Sequence, residues 1–242
     1  MEKQSQLSEV ITQRILHEIK NGIYKTESKL PPELEIAAFL GVSRSIIRDS
    51  LSALEREGFI SRKQGVGTII NRHVLAVVTR MDLEEEFFEM ISNTGKTPGL
   101  LSLSVAYGLA DRALAQKLKI QPNTDVIHVN RVVTADGQPA IYCVDSFAKS
   151  LIVGDNFEEE DLRKPIFDFL KKSCHTEVFM DLTEVKAVPA EQEVALCFRV
   201  PVGTPLLFMD EVGYNFKGVP VLHSSEYYNN GIITHMVLRK KI

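Results

Sequence analysis

Apolar residues Leu7, Val10, Ile11, Ile15 and Ile19 recur at helical spacing and Asn21-Gly22 supplies a stop, so the pattern predicts a first helix. Leu30-Pro31-Pro32-Glu33 forbids helix continuation at the prolines but suits a helix start. Leu34, Ala37, Ala38 and Leu40 predict the inner face of a short second helix ended by Gly41. Ser43 is a good N-cap for a third helix with Ile47, Leu51 and Leu54 inward and Gly58 at its end, although Ile46 stands where a capping box would place Glu. A tight turn around Gly41-Val42 joins helices two and three. Residues 59–62 and 68–70 read as short strands around Lys63-Gln64-Gly65-Val66-Gly67, a basic hairpin. Gly65 and Gly67 lack the third glycine, the long preceding strand and the following helix of a nucleotide-binding loop.

Residues 73–92 hold an apolar stretch and then an acidic run, 82–90, predicted as helix. Beyond Gly95-Lys96-Thr97-Pro98 a unit occurs twice. In the first copy a helix over 111–119 leads through Ile120-Gln121-Pro122 into a strand over 126–133, a turn at Asp136-Gly137-Gln138-Pro139 and a return strand over 140–147. In the second, a helix over 190–198 leads through Val200-Pro201-Val202 into strand 205–214, a turn at Lys217-Gly218-Val219-Pro220 and return strand 221–228. Between the copies the pattern predicts a helix over 159–172, with Leu162, Ile166, Phe167 and Leu170 inward, and a strand over 177–188; residues 234–239 predict a closing strand. This order predicts an α+β chain. A winged helix-turn-helix spans residues 1–72, a linker and the first helix of the second domain 73–92, and an antiparallel sheet with helices on one side 93–242, with room for a ligand between its two halves.

Charge changes the picture once the chain is divided. The net charge of -4 is unlike a nucleic-acid binder, yet residues 1–72 carry 11 Lys/Arg against 9 Asp/Glu and the remainder 17 against 23, so the positive excess sits at the N-terminus. Cys143, Cys174 and Cys197 are far apart and not grouped with His at ligand spacing, which predicts buried free thiols and neither disulfide nor zinc. His128 and His223, on strands without partners at ligand spacing, read as structural. Met1-Glu2-Lys3-Gln4-Ser5 lacks the apolar core of a signal peptide and no run approaches membrane-spanning length, so a cytoplasmic protein with no membrane partner is expected.

Leu30-Pro31-Pro32-Glu33, Leu40-Gly41-Val42-Ser43-Arg44, Ile47-Arg48, Leu51, Leu54, Glu57-Gly58 and Arg62-Lys63-Gln64-Gly65-Val66-Gly67-Thr68 together resemble the DNA-binding domain of the GntR family of bacterial regulators. Gly95-Lys96-Thr97-Pro98, Asn130-Arg131-Val132, the two Gly-x-Pro turns, Pro201-Val202-Gly203-Thr204-Pro205-Leu206 and Ser225-Glu226-Tyr227-Tyr228 resemble the UTRA domain of that family's HutC branch. The resemblance implies a homodimeric transcription regulator, a repressor, that binds operator DNA and a small-molecule effector, with no cofactor. It implies a sensor domain with the fold of chorismate lyase.

The helix-turn-helix reading puts the N-terminal part of the third helix in the major groove, where Arg44 and Arg48, one turn apart, reach guanine edges. Ser43 and Ser45 are placed to donate to phosphates, with an N-cap role for Ser43 as an equal reading, and Lys63, Gln64 and Gly65 of the hairpin approach the DNA backbone or minor groove. The family's second helix often carries a basic residue where this chain has Leu34. In the sensor, the resemblance implies an Arg-x-Arg pair and a helix-start Ser for phosphorylated sugars. Here Arg131 matches the first Arg, but Val133 and Pro165 replace the rest, so a sugar phosphate does not carry over. Arg131 alone still suits a carboxylate or a single phosphate oxygen pair. Aligning the repeat sets Asp145 opposite Glu226 and Phe147 opposite Tyr228, with Arg131 and Glu211 at nearly corresponding places, and the expected effector contacts are Arg131, Asp145, Glu226 and Tyr228, against internal salt bridges as the alternative. Two rival readings are a lyase-like enzyme with a DNA-binding appendage, for which no nucleophile-base pair is visible, and an architectural DNA binder with an empty second domain.

Overall fold

The computed structural model describes residues 2–154, 159–163 and 165–240, and the chain forms two units, Met1–Val78 with Met236–Ile242 and Thr79–His235. The first unit runs α1 (Glu2–Lys20), β1 (Lys29–Leu30), α2 (Glu33–Leu40), α3 (Arg44–Arg56), β2 (Ile60–Lys63), β3 (Gly67–Ile70) and α4 (Arg72–Leu75). Ile11, Ile15 and Ile19 of α1 lie one turn apart and are buried, as are Ile47, Leu51 and Leu54 of α3, with Ile36 of α2 and Ile60 of β2. The Ser50 hydroxyl, fully buried, donates to the Ser8 carbonyl at 3.0 Å and ties α3 to α1. The strands order β1-β3-β2, all antiparallel, so the hairpin gains a third short strand that the sequence pattern did not announce.

The inner face of α2 differs from expectation. Ile36 and Ala37 are buried, whereas Leu34 is 64% exposed and Ala38 is exposed. An eight-residue helix has little more than two turns, so a small rotation decides which face is covered. Gly41, at φ 67, provides its left-handed C-cap.

The expected closing strand over 234–239 also does not form, apart from an isolated bridge at Met236. Gly231, at φ 79, sits in the turn that follows the last sheet strand, and the chain beyond His235 joins the first unit. There the Lys240 ammonium donates to the Glu55 and Arg56 carbonyls at 2.6 and 2.7 Å, two of the last carbonyls of α3. Gly58 is required twice at this place. Its φ of 85 is left-handed, and a Cβ on it would lie 2.4 Å from Leu238 Cδ2.

The second unit runs α5 (Phe87–Asn93), β4 (Pro98–Leu109), α6 (Arg112–Leu118), β5 (Asp125–Ala135), β6 (Gln138–Ala148), two 3-10 turns (Lys149–Leu151 and Glu159–Arg163), α7 (Ile166–Ser173), β7 (Met180–Pro189), α8 (Gln192–Phe198), β8 (Pro205–Tyr214) and β9 (Pro220–Tyr228). Its sheet is antiparallel with order β4-β5-β6-β9-β8-β7. The repeat is therefore strand, helix and hairpin in each half, β4-α6-β5-β6 and β7-α8-β8-β9. Even the helix ends match, since Lys119 and Arg199 both take the left-handed C-cap conformation, at φ 51 and 58. Where the halves meet, Cys143 pairs with Glu226 and Asp145 with Ser224, symmetric about the Val144–Ser225 pair.

Helices cover both faces of this sheet, not one. Val133, Ile141 and Cys143 pack with Met90 and Ile91 of α5, and Ile127, Val129 and Phe147 with Phe169 and Leu170 of α7. Val132 and Tyr142 point the other way and meet Val194 and Phe198 of α8. The central strands are apolar on both sides and both sides need covering. Two elements start later than expected. The acidic run is not helical until Phe87, and the helix predicted over 159–172 breaks at Pro165 into a 3-10 turn and α7; its Lys164 lies outside the described residues.

Candidate functional site

In the first unit the expected DNA contacts are all exposed. Ser43 caps α3 by accepting from the Ile46 amide at 3.4 Å and exchanges a hydrogen bond with Ser45 at 2.9 Å, so its hydroxyl is engaged in starting the helix. Arg44 is 61% exposed and pairs with Glu33 at 2.8 Å, which holds its guanidinium beside the α2 start. Arg48, one turn on, is exposed, as are Lys63, Gln64 and Gly65 in the hairpin. The hairpin is held by Arg62, which reaches back to Glu55 at 2.7 Å and to Ser52 at 2.9 Å, and by Lys29, which donates to the Val66 carbonyl at 3.1 Å. Arg62 and Lys29 thus brace the wing and leave Lys63 at its tip.

In the second unit Arg131, Asp145, Glu226 and Tyr228 come together on one face of β5, β6 and β9. Their bonding separates them into two groups. Arg131 and Asp145 are buried, 2.6 Å apart, and the rest of the guanidinium donates to the Leu162 carbonyl at 3.2 and 3.3 Å. Asp145 accepts also from Ser224 at 2.6 Å and from the Cys143 thiol at 3.4 Å. This half is satisfied internally. Burial and the Asp145 charge raise the Cys143 thiol pKa well above its usual range, so it stays protonated and can donate.

The other group is acidic, and Glu211 in it accepts from the Thr183 hydroxyl at 2.8 Å. Glu226 is buried, accepts from Tyr228, and is hydrogen-bonded to Glu211, also buried, so two carboxyls share a site. Around them stand Glu84, Glu85 and Glu86 of the extended stretch before α5, and Asp181 of β7. Burial first, then the charges of Glu211 and its acidic neighbours, pushes Glu84 up to about 8. Burial raises Glu86 to about 7 although Arg131 and the Phe167 amide oppose it, and burial raises Asp181 to about 6. Burial first, then the Glu211 charge, raises Glu226 well above the usual carboxylate range. Two small cavities adjoin these groups, of about 40 and 20 Å³, the first lined by Thr79, Arg80, Glu84, Glu211, Glu226, Tyr228 and His235. Arg80 there pairs with Asp82. Three buried side-chain atoms among the described residues lack a hydrogen-bond partner: Thr79 Oγ1, Asp181 Oδ2 and His235 Nε2. All three belong to residues lining these two cavities. Such orphans are rare in folded proteins, and these three lie at adjoining cavities.

The described residues have no helix long and apolar enough to cross a membrane. Compared with known proteins, residues 7–70 match the bacterial regulatory proteins of the gntR family, and residues 93–231 match the UTRA domain. The chain belongs to the gntR family of transcriptional regulators. Relatives include the HTH-type transcriptional regulator YurK of Bacillus subtilis, 28% identical over 89% of this chain and 86% of its own length. Another is the HTH-type transcriptional repressor NagR of the same organism, 25% identical over 90% and 88%. The same fold is seen in the crystal structure of the possible transcriptional regulator YydK of Bacillus subtilis, with a TM-score of 0.77 and 22% identity over 97% of this chain and 99% of that one. No relative here supports the lyase reading, and the regulator binds operator DNA through its first unit and a small molecule through its UTRA domain.

Sequence reasoning about the regulator's sensor missed Thr79, Glu84, Glu85, Glu86, Asp181 and His235, and noted Glu211 only as a counterpart of Arg131. One signal was present: three glutamates directly before Phe87-Phe88 are a poor interior for a helix that must bury one face. His128 and His223 are structural as expected, bonded to Ser146 at 2.8 Å and to Asp210 at 2.8 Å.

Proposed function

We propose that the regulator is a homodimeric repressor acting in the cytoplasm, whose hold on its operator is set by a metabolite bound where Glu211, Glu226 and Tyr228 meet Thr79 and His235. The observation that carries this reading is chain connectivity. The chain passes between its units at Val78/Thr79 and again at His235/Met236, and both residues on the sensor side line the same cavity. A ligand that moves them therefore acts on both covalent connections to the DNA-binding unit. A two-fold dimer needs its recognition helices at a spacing fixed by the DNA helical repeat, so a modest change in either connection alters operator affinity. Repression follows the relative NagR, named a transcriptional repressor. Arg44 and Arg48 read bases, Ser43 and Ser45 hold phosphates at the helix start, and Lys63, Gln64 and Gly65 meet the backbone or minor groove.

The test is reciprocal titration. The effector is titrated into free protein and into the protein-operator complex, and linkage requires the two dissociation constants to differ by the factor that the effector imposes on operator affinity, typically about 5-fold to 150-fold. Equal constants sink the mechanism.

A further inference from the structure

The two halves of the sensor hold equivalent positions with opposite chemistry. The symmetry about the Val144–Ser225 pair makes Cys143 equivalent to Ser224 and Asp145 to Glu226. Arg131 pairs across its hairpin with Cys143, and Glu211 pairs across its own with Ser224, so Glu211 stands where the first half has Arg131. In the first half, cation and carboxylate neutralise each other at 2.6 Å. In the second, the same geometry brings two carboxyls together.

The charged neighbours acting most on Glu226 are Glu211, Glu84 and Asp145, and those acting on Glu84 are Glu211, Asp181, Glu86 and Glu85, every one acidic. The side of the sheet that could hold an anion is already filled, since Glu86 takes the Phe167 amide at the start of α7 beside Arg131. An anionic ligand would have to expel that carboxylate. The opposite end of the site has a cavity of about 40 Å³ with the unpartnered Thr79 hydroxyl, 4% exposed, on its wall, and its carboxyls outnumber its one cation, Arg80, which is paired with Asp82. A volume of that size exceeds the ~15 Å³ that one water needs, and an ammonium group is about as large as water. The body of a larger molecule has room next door, in a cleft of about 660 Å³ that also has Tyr228 and His235 on its wall. Two buried carboxyls that hydrogen-bond to each other must hold at least one proton, because a bare pair of buried carboxylates is costly, and a bound ammonium takes the place of that proton, which leaves to solvent.

We propose that the effector is an organic amine whose ammonium group binds between Glu211 and Glu226, beside Glu84 and the Thr79 hydroxyl, supplying the cation that Arg131 supplies in the other half. This rests on the reading of the cavity as the effector site. The amine needs no displacement of Glu86, and its gain over a neutral isostere comes from charge-assisted hydrogen bonds to carboxylates.

The full chain is tested by thermal shift and calorimetry with ethanolamine, 1,4-diaminobutane and glucosamine. Each is compared with its N-acetylated counterpart and with sodium chloride at equal ionic strength, and glucose 6-phosphate serves as the anionic probe. The expected result is stabilisation by at least one amine that its N-acetylated form and salt do not give. Glu226→Gln and Glu211→Gln, which keep the size of the side chain, should each weaken that amine by about tenfold to hundredfold. Amines no better than salt or than their acetylated forms overturn the proposal, as does amine binding that survives in the Glu211→Gln/Glu226→Gln double variant. The regulator reading is tested separately by operator binding. A neutral or phosphorylated probe that moves operator affinity and loses its effect in Glu226→Gln keeps the cavity as effector site and overturns only the amine. An amine that binds through Glu226 yet leaves operator affinity unmoved confirms the cation site and overturns the effector role.

Discussion

Arg131→Ala tests how far the buried ion pair is a structural element. Arg131 and Asp145 are 5% and 2% exposed in side chain, and the guanidinium spends its donors on Asp145 and the Leu162 carbonyl. Truncation leaves the Asp145 carboxylate in the core with only the Ser224 hydroxyl and the Cys143 thiol as donors, and strips the Leu162 carbonyl of its partner. Removing one member of a buried pair costs about 3–5 kcal/mol, a large share of the roughly 5–15 kcal/mol that holds a domain folded. Urea unfolding of the full chain, followed by amide exchange in β5 and β6, should show that loss in the sensor while amides of α1 and α3 stay protected. Replacing both partners, Arg131→Met with Asp145→Leu, should recover most of it, because no unpaired charge remains. A loss below about 1 kcal/mol would mean that the pair is solvated and worth no more than a surface bridge. Arg131 would then be available to a ligand directly, and the division of the site into an ion-paired and an acidic half would be wrong.

Arg48→Ala should weaken operator binding by about 1–3 kcal/mol and relax base preference at one position per half-site, read by footprinting on operator variants; unchanged affinity removes α3 as the reader. Operator affinity should fall steeply with salt, each phosphate contact adding about 0.9 to the slope of log affinity against log salt, and a flat titration contradicts the placement of Lys63 and the α3 start on the backbone. Sensor stability should fall as pH rises. Glu84 goes from the ordinary 4.5 to about 8 and Asp181 from 3.8 to about 6, so the folded state holds protons that the unfolded state has lost, and this stability, complete below pH 4, disappears as pH passes through 6 to 8. Melting temperatures across that range check it, and a sensor that becomes more stable between pH 5 and 8 refutes it. Lys240→Ala should cost about 0.3–1 kcal/mol in the first unit by uncapping α3, measurable by urea unfolding; no change would show that water serves those carbonyls equally well.

The sequence was most legible where a single face or a single turn decides an element. Pro205–Tyr214 begins and ends on the residues that the β8 alternation and its proline suggest, and Ser43 starts α3 as its side chain predicts. The edge strand β4 was passed over, although Leu101, Leu103, Val105, Tyr107 and Leu109 alternate with small or polar residues. An edge strand buries little, and Leu101, Tyr107 and Leu109 are each more than half exposed, so the composition of β4 looked like that of a loop. The site was half legible for a related reason. Glu226 and Tyr228 follow from the hairpin register, since residues two apart share a face. Thr79, Glu84 and His235 come from irregular backbone, and no periodicity says where such a segment lies.

The last segment shows why a boundary drawn on sequence order misassigned charge. Counting to Arg72 leaves the first unit only slightly positive. With the C-terminal segment returned to it, the unit of residues 1–78 and 236–242 holds 14 Lys/Arg and 9 Asp/Glu, net +5, and the unit of residues 79–235 holds 14 and 23, net -9. Arg239, Lys240 and Lys241 account for the difference. The overall -4 is thus a sum of two opposed fields, one suited to a polyanion and one that repels anions and attracts cations over a range of about a Debye length, roughly 8 to 10 Å. The second field acts in the same sense as the paired carboxyls of Glu211 and Glu226. A cationic effector is favoured on approach by the net charge of the sensor unit and on binding by Glu211, the carboxyl at the position equivalent to Arg131.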